Sequence, residues 1–298
     1  MSPEPNALAA VHAAIQPDAA ADEAAITATA RYRARRRTVL VNLARALTLL
    51  AVIGGWQLFT ELKIVDSFFF GQPSAIATQL RDWAEHGTAF GSLWLQIWVT
   101  IKEALLGFAY GVGGGIVLGI LLGQNRFLAD VLGPYIKVMN AIPRIVLGSI
   151  FVVWLGLGTT SKVALAAVLV FFVVFFNAFQ GVREVDRNLI ANVRVLGASR
   201  LQVTRHVILP SALTWIIASL HVAFGFAVIG AIVGEFLGAQ QGLGLVIATS
   251  QGTLNADGVF AAMLIIAVVA LTAETLIGLL ERRLLSWRPP SPTEAGTT

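Results

Sequence analysis

Arg144 is the most informative of the few residues here that could do chemistry in apolar surroundings. It ends the polar segment Asn140–Arg144 inside an apolar run, where Pro143 predicts a kink because proline cannot donate a backbone hydrogen bond. A guanidinium at membrane depth must face protein, water or a partner. Arg144, with Asn140 and Pro143, could therefore line a hydrated path for an anion, or its side chain could extend to lipid headgroups.

Glu235 is the second such residue and lies near the end of another apolar run. Its carboxylate could contact a gate or a delivering protein, or it could simply mark the boundary of that run. The four histidines are widely spread and the chain has no cysteine. The sequence therefore predicts no catalytic residues and no metal site.

The composition places these residues in a lipid bilayer. Hydrophobic residues make up 56% of the chain and charged residues 13%, against roughly 45–50% and 25% in soluble domains. The mean hydropathy is +0.76. A segment of about 20 apolar residues can cross a bilayer as a helix, because a helix closes its own backbone hydrogen bonds. The sequence thus predicts an all-α polytopic membrane protein embedded in lipid.

Six apolar segments are long enough to be transmembrane helices, and the arginines predict their orientation. Arginines cluster before the first span, between spans four and five, and after the sixth, whereas the other side keeps Lys63, Arg81, Lys102 and Lys162. Short cytoplasmic loops carry the excess of basic residues, so both termini are predicted to be cytoplasmic. Scattered basic residues also argue against a nucleic-acid partner. The predicted spans are 39–59, 100–123, 135–157, 163–179, 209–236 and 259–280.

Glycine recurs at every fourth position along the second span. The resulting helix face is nearly flat, so another helix can approach until the two backbones touch. We interpret this face as a packing surface rather than a ligand contact. The glycines are Gly107, Gly111, Gly115, Gly119 and Gly123.

The interval between spans four and five predicts two short helices. Leu189, Val193 and Leu196 share one helix face by spacing, and Gly197 can end that helix. Ser199 and Gln202 form a capping-box pattern that starts a second helix, with Leu201 facing inward. Pro210 is then expected to start the fifth span. The product is an arginine-bearing pair of helices that could dock onto a partner.

These residues resemble the permease subunits of binding-protein-dependent ABC importers, within the nitrate/taurine/sulfonate group. The family signature reads Glu-Ala-Ala, three residues, Gly, nine residues, Ile-x-Leu-Pro. Here it appears as Ala191–Val193, Gly197 and Val207–Pro210 with the spacing intact, although Ala191 replaces the usual acidic residue. Further similarity extends over residues 40–288 and includes Trp154–Gly158, Gly234–Ala239 and Gly242–Gly244.

The resemblance implies a type I-like permease of about six transmembrane helices in a bacterial inner membrane. It divides the chain into a flexible cytoplasmic tail (1–37), a transmembrane permease domain (38–288) with a coupling region at 184–210, and a cytoplasmic C-terminal tail (289–298). The residues it assigns to ATPase coupling are Ala191, Arg194, Gly197, Ala198, Ser199, Arg200, Leu209 and Pro210.

The same resemblance implies partners that this chain requires. Two ATPase subunits would bind ATP and magnesium, a periplasmic or lipoprotein solute-binding protein would deliver the solute, and a second permease copy would complete a homodimer. The sequence contains no G-x-x-x-x-G-K-[ST] phosphate loop, so we predict no ATPase activity and no cofactor in this chain. The expected solute is a small anion such as a sulfonate, taurine or nitrate.

A secondary active transporter is the alternative function. That class predicts inverted repeats and intramembrane acids for ion coupling. The acids are sparse in this sequence, and no symmetry between its halves is visible.

Overall fold

The computed structural model describes residues 5–284, and nearly all of them are helical. The contacts divide the chain into two units, with the boundary between Val65 and Asp66. In chain order the helices are α1 (Pro5–Glu61), α2 (Ser67–Phe70), α3 (Pro73–Glu85), α4 (Leu93–Gln124), α5 (Arg126–Ala141), α6 (Arg144–Leu155), α7 (Thr159–Arg183), α8 (Arg187–Val195), α9 (Arg200–Val203), α10 (Leu209–Leu237), α11 (Leu243–Gly252) and α12 (Ala256–Leu284).

Helix α1 forms most of the first unit. Its part Tyr32–Glu61 is long and apolar enough to cross a membrane and contains the predicted first span. Residues 5–37, where the sequence predicts a flexible tail, are helical as well. Alanine, which has the highest helix propensity, is abundant in this stretch. The predicted C-terminal tail at 289–298 lies outside the described residues.

The second unit is built on α4 and α7, whose backbones touch along the glycine face of α4. A methyl group at Gly111 would lie 2.6 Å from the Cβ of Val170, and one at Gly115 would lie 2.9 Å from the Cβ of Val174. Gly119 faces Ala178 in the same way. Because the paired positions rise together along both helices, α4 and α7 run parallel. The predicted packing role of the glycine face is confirmed.

Helix α10 packs antiparallel on another face of α7. Gly230 lies against Ala166, and Gly234 lies against the stem of Lys162. Helices α4, α7 and α10 together enclose an apolar core of small and branched side chains. The buried residues of this core are Ala104, Val170, Val174, Ala223, Phe224, Ala227, Val228 and Ala231.

The predicted third span is broken rather than kinked. Helices α5 and α6 meet at an angle of 91°. Ile142 and Pro143 adopt extended backbone angles between them, with ψ of 129° and 114°. With α5 and α6 counted as one bent span, the described residues hold six apolar segments able to cross a membrane. The predicted all-α fold with about six spans is confirmed.

The fifth span does not begin at Pro210, as the sequence predicts. Instead, residues Arg200–Leu237 form one continuous helical segment. A π-helical turn at Thr204–Ile208 precedes the proline, and the N–H of Leu209 donates to the carbonyl of Thr204, five residues back. In a regular α-helix the proline ring would clash with the carbonyl four residues earlier, so the wider turn accommodates Pro210 without ending the helix.

Helices α2, α3 and α11 lie together with the start of α12 at one end of the second unit. Helix α3 buries the Ile76 and Trp83 side chains of one of its faces. The backbone N–H of Gln72 donates to Asp257 Oδ1 at 2.8 Å and ties the start of α3 to the start of α12. The short apolar helix α11 lies between α10 and α12 in the chain.

Replacing Gly111 with leucine should destabilise the protein, because the new side chain would occupy the position of Val170. Overpacking of this kind costs about 1–3 kcal/mol or more. The matched control is Gly113→Leu on the same helix, where a Cβ meets no atom of the chain within 4 Å. Thermal unfolding of the detergent-solubilised protein would measure both variants. Equal melting temperatures for the two would contradict the packing role.

Candidate functional site

The coupling region folds into a rigid turn whose geometry depends on a few local hydrogen bonds. Asp186 caps α8, because its carboxylate accepts from the N–H of Asn188 at 2.8 Å. Gly197 follows with φ of +87°, a left-handed conformation that favours glycine. The predicted capping box is present, since Gln202 N–H donates to Ser199 Oγ at 3.3 Å and Ser199 N–H donates to Gln202 Oε1 at 2.8 Å.

One face of this turn is attached to the helix bundle. Ile190, Val193 and Ala198 pack against a cluster formed by side chains of α7, α9, the π-helical turn and α10. The buried members of that cluster are Ala178, Val182, Val203, Ile208, Ala212 and Ile216. Helices α8 and α9 are therefore packed directly against α7 and α10.

The opposite face of the turn has large apolar side chains that are exposed. Val195 is 87% exposed, Leu196 85% and Leu201 76%. The prediction that Leu201 faces inward is wrong, because Val203 takes the inward position and is 1% exposed. We call the exposed set of Arg194, Val195, Leu196, Arg200 and Leu201 the coupling surface.

The other predicted coupling residues surround this surface. Ala191 and Ser199 are exposed, and Ala198 is half-buried against the bundle. Leu209 is half-buried and Pro210 exposed, and both begin α10 after the π-helical turn. They position the turn and do not belong to the coupling surface.

A buried polar cluster lies at the opposite end of the bundle. It consists of Gln96, Thr100 and Glu103 on α4, Lys162 on α7 and Glu235 on α10. All five side chains are buried, with exposures of 0–2%. Buried polar groups destabilise a fold unless they are hydrogen-bonded, so the partners of this cluster determine whether it can exist.

The cluster caps the N-terminus of α11. The first N–H groups of a helix have no partner within that helix. Here Gly242 N–H donates to Gln96 Oε1 at 2.7 Å, Leu243 N–H to Thr100 Oγ1 at 2.9 Å, and Gly244 N–H to Glu235 Oε2 at 2.7 Å. Side chains from two long helices thus hold α11 in place, and a carboxylate lies at the positive end of its dipole.

Glu235 links three helices. It accepts from Thr100 Oγ1 at 2.7 Å as well as from Gly244, so it joins α10 to α4 and to α11. Gly242 has φ of +118°, and a side chain there would overlap the carboxylate of Glu235. Neither of the two roles left open by the sequence is tested by this geometry, which shows a further one: a structural contact that joins α10 to α4 and α11.

Lys162 is fully buried, which the sequence does not predict. Its Nζ donates to the carbonyls of Leu157 at 2.6 Å and Gly158 at 3.1 Å. The carboxyl of Glu103 faces Lys162, Glu235 and Thr159, and its Oε2 has no hydrogen-bond partner among the described residues. Lys162 is therefore buried near two carboxyl groups, while its hydrogen bonds go to backbone carbonyls and it forms no ion pair with either carboxyl among the described side chains.

The predicted path residues do not form one site. Asn140 is half-buried and Pro143 exposed at the α5–α6 break, whereas the hydrogen bonds of Glu235 go to α4 and α11. The side chain of Arg144 lies outside the described part of the structure.

Most residues of the polar cluster are not predicted from the sequence, although the spacing of its members on α4 could have indicated them. Gln96, Thr100 and Glu103 fall at i, i+4 and i+7 and continue the glycine face that starts at Gly107. A polar extension of a packing face predicts buried polar contacts at that end. Lys162 gave no such signal, because a lysine at the end of a span ordinarily reaches water.

The chain is similar to proteins of one transport family. A model described as "Binding-protein-dependent transport system inner membrane component" matches residues 115–286. The chain is 33% identical to a putative aliphatic sulfonates transport permease protein of Bacillus subtilis, over 80% of this chain and 84% of that protein. It is 32% identical to a riboflavin transport system permease protein of Chloroflexus aurantiacus, over 86% and 94%. It is 30% identical to the taurine transport system permease protein of Escherichia coli, over 80% and 88%.

Solved structures share the fold. The inward-facing MetNI methionine ABC transporter matches with a TM-score of 0.56 and 21% identity, over 65% of this chain and 96% of that one. An amino acid ABC transporter with histidines matches with a TM-score of 0.53 and 22% identity, over 63% and 92%.

Replacing Thr100 with valine should destabilise the protein, because Glu235 would lose a donor and Leu243 N–H an acceptor. An unsatisfied buried polar group costs about 1–3 kcal/mol. Thr272→Val is the matched control, since the Thr272 hydroxyl donates only to Val268 O on its own helix and is exposed. Thermal unfolding in detergent compares the two variants. The capping account is wrong if Thr100→Val melts no lower than Thr272→Val.

Proposed function

The chain belongs to the family of binding-protein-dependent transport system inner membrane components, and we propose that it carries a small sulfonate-type anion across the bacterial inner membrane. It is the solute-translocating subunit of an ABC importer, and a separate subunit hydrolyses ATP. The proposal also covers the identity of the solute, the orientation of the chain in the membrane and its assembly with partner subunits.

The α5–α6 break is the observation that supports the proposed position of the translocation path. Ile142 and Pro143 are exposed in the single chain and have extended backbone angles between α5 and α6, and the N–H of Ile142 donates to the carbonyl of Met139 at 3.4 Å, three residues back. Irregular backbone at membrane depth occurs only where protein covers it or where it lines a water-filled cavity. We propose that the break faces the solute path, with Asn140 and Arg144 as its polar residues and Pro143 between them.

A second copy of the chain supplies the other half of this path. Helix α5 packs mainly on α4 and leaves Tyr135, Val138 and Met139 exposed. A homodimer places two such breaks opposite one another and encloses a path that a single copy leaves open at one side.

The arginines support an orientation with both termini in the cytoplasm. Arg183, Arg194, Arg200 and Arg205 all lie at the coupling end, and basic residues concentrate in cytoplasmic loops. The coupling surface then faces ATPase subunits that bind ATP and magnesium. The polar cluster lies at the periplasmic end, where a solute-binding protein delivers the solute.

ATP-driven displacement of the coupling surface moves the bundle as a lever. Ile190 and Val193 pass the movement to α7 and α10, which are packed too closely to slide. The polar cluster holds α11 to α4 and α10 at the far end. Motion of the cytoplasmic end therefore changes access at both faces of the membrane.

The solute is a sulfonate-type anion, because relatives in Bacillus subtilis and Escherichia coli are named for aliphatic sulfonates and taurine. Riboflavin is the second candidate, since the relative from Chloroflexus aurantiacus covers 86% of this chain. Nitrate and other small organic acids are further outcomes of the uptake measurement.

Replacing Leu196 and Leu201 with aspartate should abolish ATPase docking without unfolding the permease, because both side chains are exposed. Hot-spot residues at the centre of an interface contribute at least about 2 kcal/mol each, so we expect at least a tenfold loss of affinity. Leu254→Asp, at the other end of the bundle, is the control. Pull-down of the cognate ATPase from detergent provides the measurement. Retained docking in the double variant would rule out this surface.

Proteoliposomes that contain the permease, its ATPase and its binding protein should take up labelled taurine or ethanesulfonate only when ATP is supplied. Labelled riboflavin is the comparison solute, and liposomes without the ATPase are the control. Uptake of riboflavin but not of sulfonates would overturn the proposed solute. Uptake by the permease alone, driven by an ion gradient, would favour a secondary transporter.

A further inference from the structure

Two adjoining cavities open at the coupling end of the bundle. The first has a volume of about 360 Å³, and four arginines line it: Arg126, Arg183, Arg194 and Arg200. The second has a volume of about 820 Å³. Gln124, Arg126 and Arg200 line both, so the two cavities adjoin one another.

The four arginines carry charge that the described part of the chain does not neutralise. None of them forms an ion pair with an aspartate or glutamate among the side chains that the structure describes. This includes Asp130, four residues after Arg126, and Glu184, which follows Arg183 and accepts from Gln180. Arg183 also lies over the ring of Phe179, 5.1 Å from its centre. Converging guanidinium groups bind phosphate oxygens with paired hydrogen bonds.

The second cavity differs in character, because its lining is mostly apolar. Leu118, Leu121 and Phe127 contribute to it, and their side chains are 43%, 54% and 75% exposed. Leu118 and Leu121 lie on α4 within a membrane-spanning segment, so this cavity borders hydrocarbon. A free inorganic phosphate has no apolar part that would fill it.

We infer that the two cavities together bind one anionic phospholipid. Its phosphate lies among the four arginines, and one acyl chain lies along Leu118, Leu121 and Phe127. Basic pockets between transmembrane helices at the cytoplasmic surface are suited to anionic headgroups. Charge complementarity and the adjoining apolar groove distinguish this occupant from a soluble anion.

At this position the bound lipid also connects the coupling helices to the rest of the bundle. Arg194 belongs to α8 and Arg200 to α9, whereas Arg126 begins α5 and Arg183 ends α7. One phosphate held by all four braces the coupling helices against the bundle. The inference depends on the membrane location of the chain and is independent of the proposed solute.

The test measures lipid retained by the full-length protein. Native mass spectrometry of the detergent-solubilised permease, titrated with dioleoylphosphatidylglycerol, should show one tightly bound molecule. Dioleoylphosphatidylcholine should bind at least about tenfold more weakly, because each arginine near an anionic surface contributes appreciably. Glycerol 3-phosphate, which has the headgroup chemistry without chains, should not compete at the same concentration.

The double variant Arg126→Gln/Arg183→Gln should lose at least about tenfold in phosphatidylglycerol affinity, and it leaves both arginines of the coupling surface in place. Arg205→Gln removes a charge at the same end without altering either cavity and should bind as the wild type does. Mass spectra report binding to folded protein only, so a fall in yield does not obscure the result.

Three results would overturn the inference. Equal affinity for the two lipids would indicate a nonspecific apolar groove. Full competition by glycerol 3-phosphate would indicate a soluble-anion site. An equal loss in Arg205→Gln would indicate general attraction to positive charge. Failure of ATPase docking or of sulfonate uptake, with lipid binding retained, would count against the proposed function alone.

Discussion

Backbone contact between α4 and α7 is the constraint on which the rest of the structure depends. Lipid offers no hydrophobic force to bring transmembrane helices together, so their association relies on close van der Waals packing. The glycine face of α4 meets alanine and valine side chains of α7 over five successive turns, from Gly107 at one end to Gly123 at the other. Two parallel helices are thereby held in one register, and α10 packs onto the pair.

This register places functional groups at both ends of the same rigid body. At one end it presents α8 and α9, with their apolar side chains turned outward. At the other end it brings Thr100, Lys162 and Glu235 from three different helices into one buried cluster. The hydrogen bonds that Gln96, Thr100 and Glu235 accept from the start of α11 fix the relative positions of α4, α10 and α11, while Glu103 Oε2 has no partner among the described residues. A movement imposed at the cytoplasmic end consequently has a defined effect at the other.

The sequence predicts local features of this fold better than it predicts where distant residues meet. The glycine spacing and the Ser199–Gln202 capping box depend on neighbours within one or two turns, and the structure confirms both. The break at Ile142 and Pro143 was foreseen only as a kink, because the angle depends on packing of α6 against α7 and α10. Leu201 was misplaced because Val203, two residues further along α9, packs into the cluster with Val182 and Ile208, which leaves Leu201 on the exposed side.

The sequence does not predict which charged residues meet in the polar cluster, for a different physical reason. Each of its charged members lies near the end of an apolar run, where a single charge ordinarily reaches water. Only the parallel register of α4 and α7, with α10 antiparallel to both, shows that Glu103, Lys162 and Glu235 point at one another. The resemblance to ABC importer permeases identified the coupling region but assigned no role to Glu103 or Lys162.

The central claim is that the bundle transmits motion as one body. Because the chain has no cysteine, Val195→Cys and Leu254→Cys allow spin labels at the two ends of one subunit without background. Pulsed electron paramagnetic resonance on the assembled transporter, diluted with unlabelled subunit, measures that distance with and without an ATP analogue. We expect the distance to stay constant, while the distance between Val195 labels on two copies changes. A nucleotide-dependent change within one subunit would contradict the account.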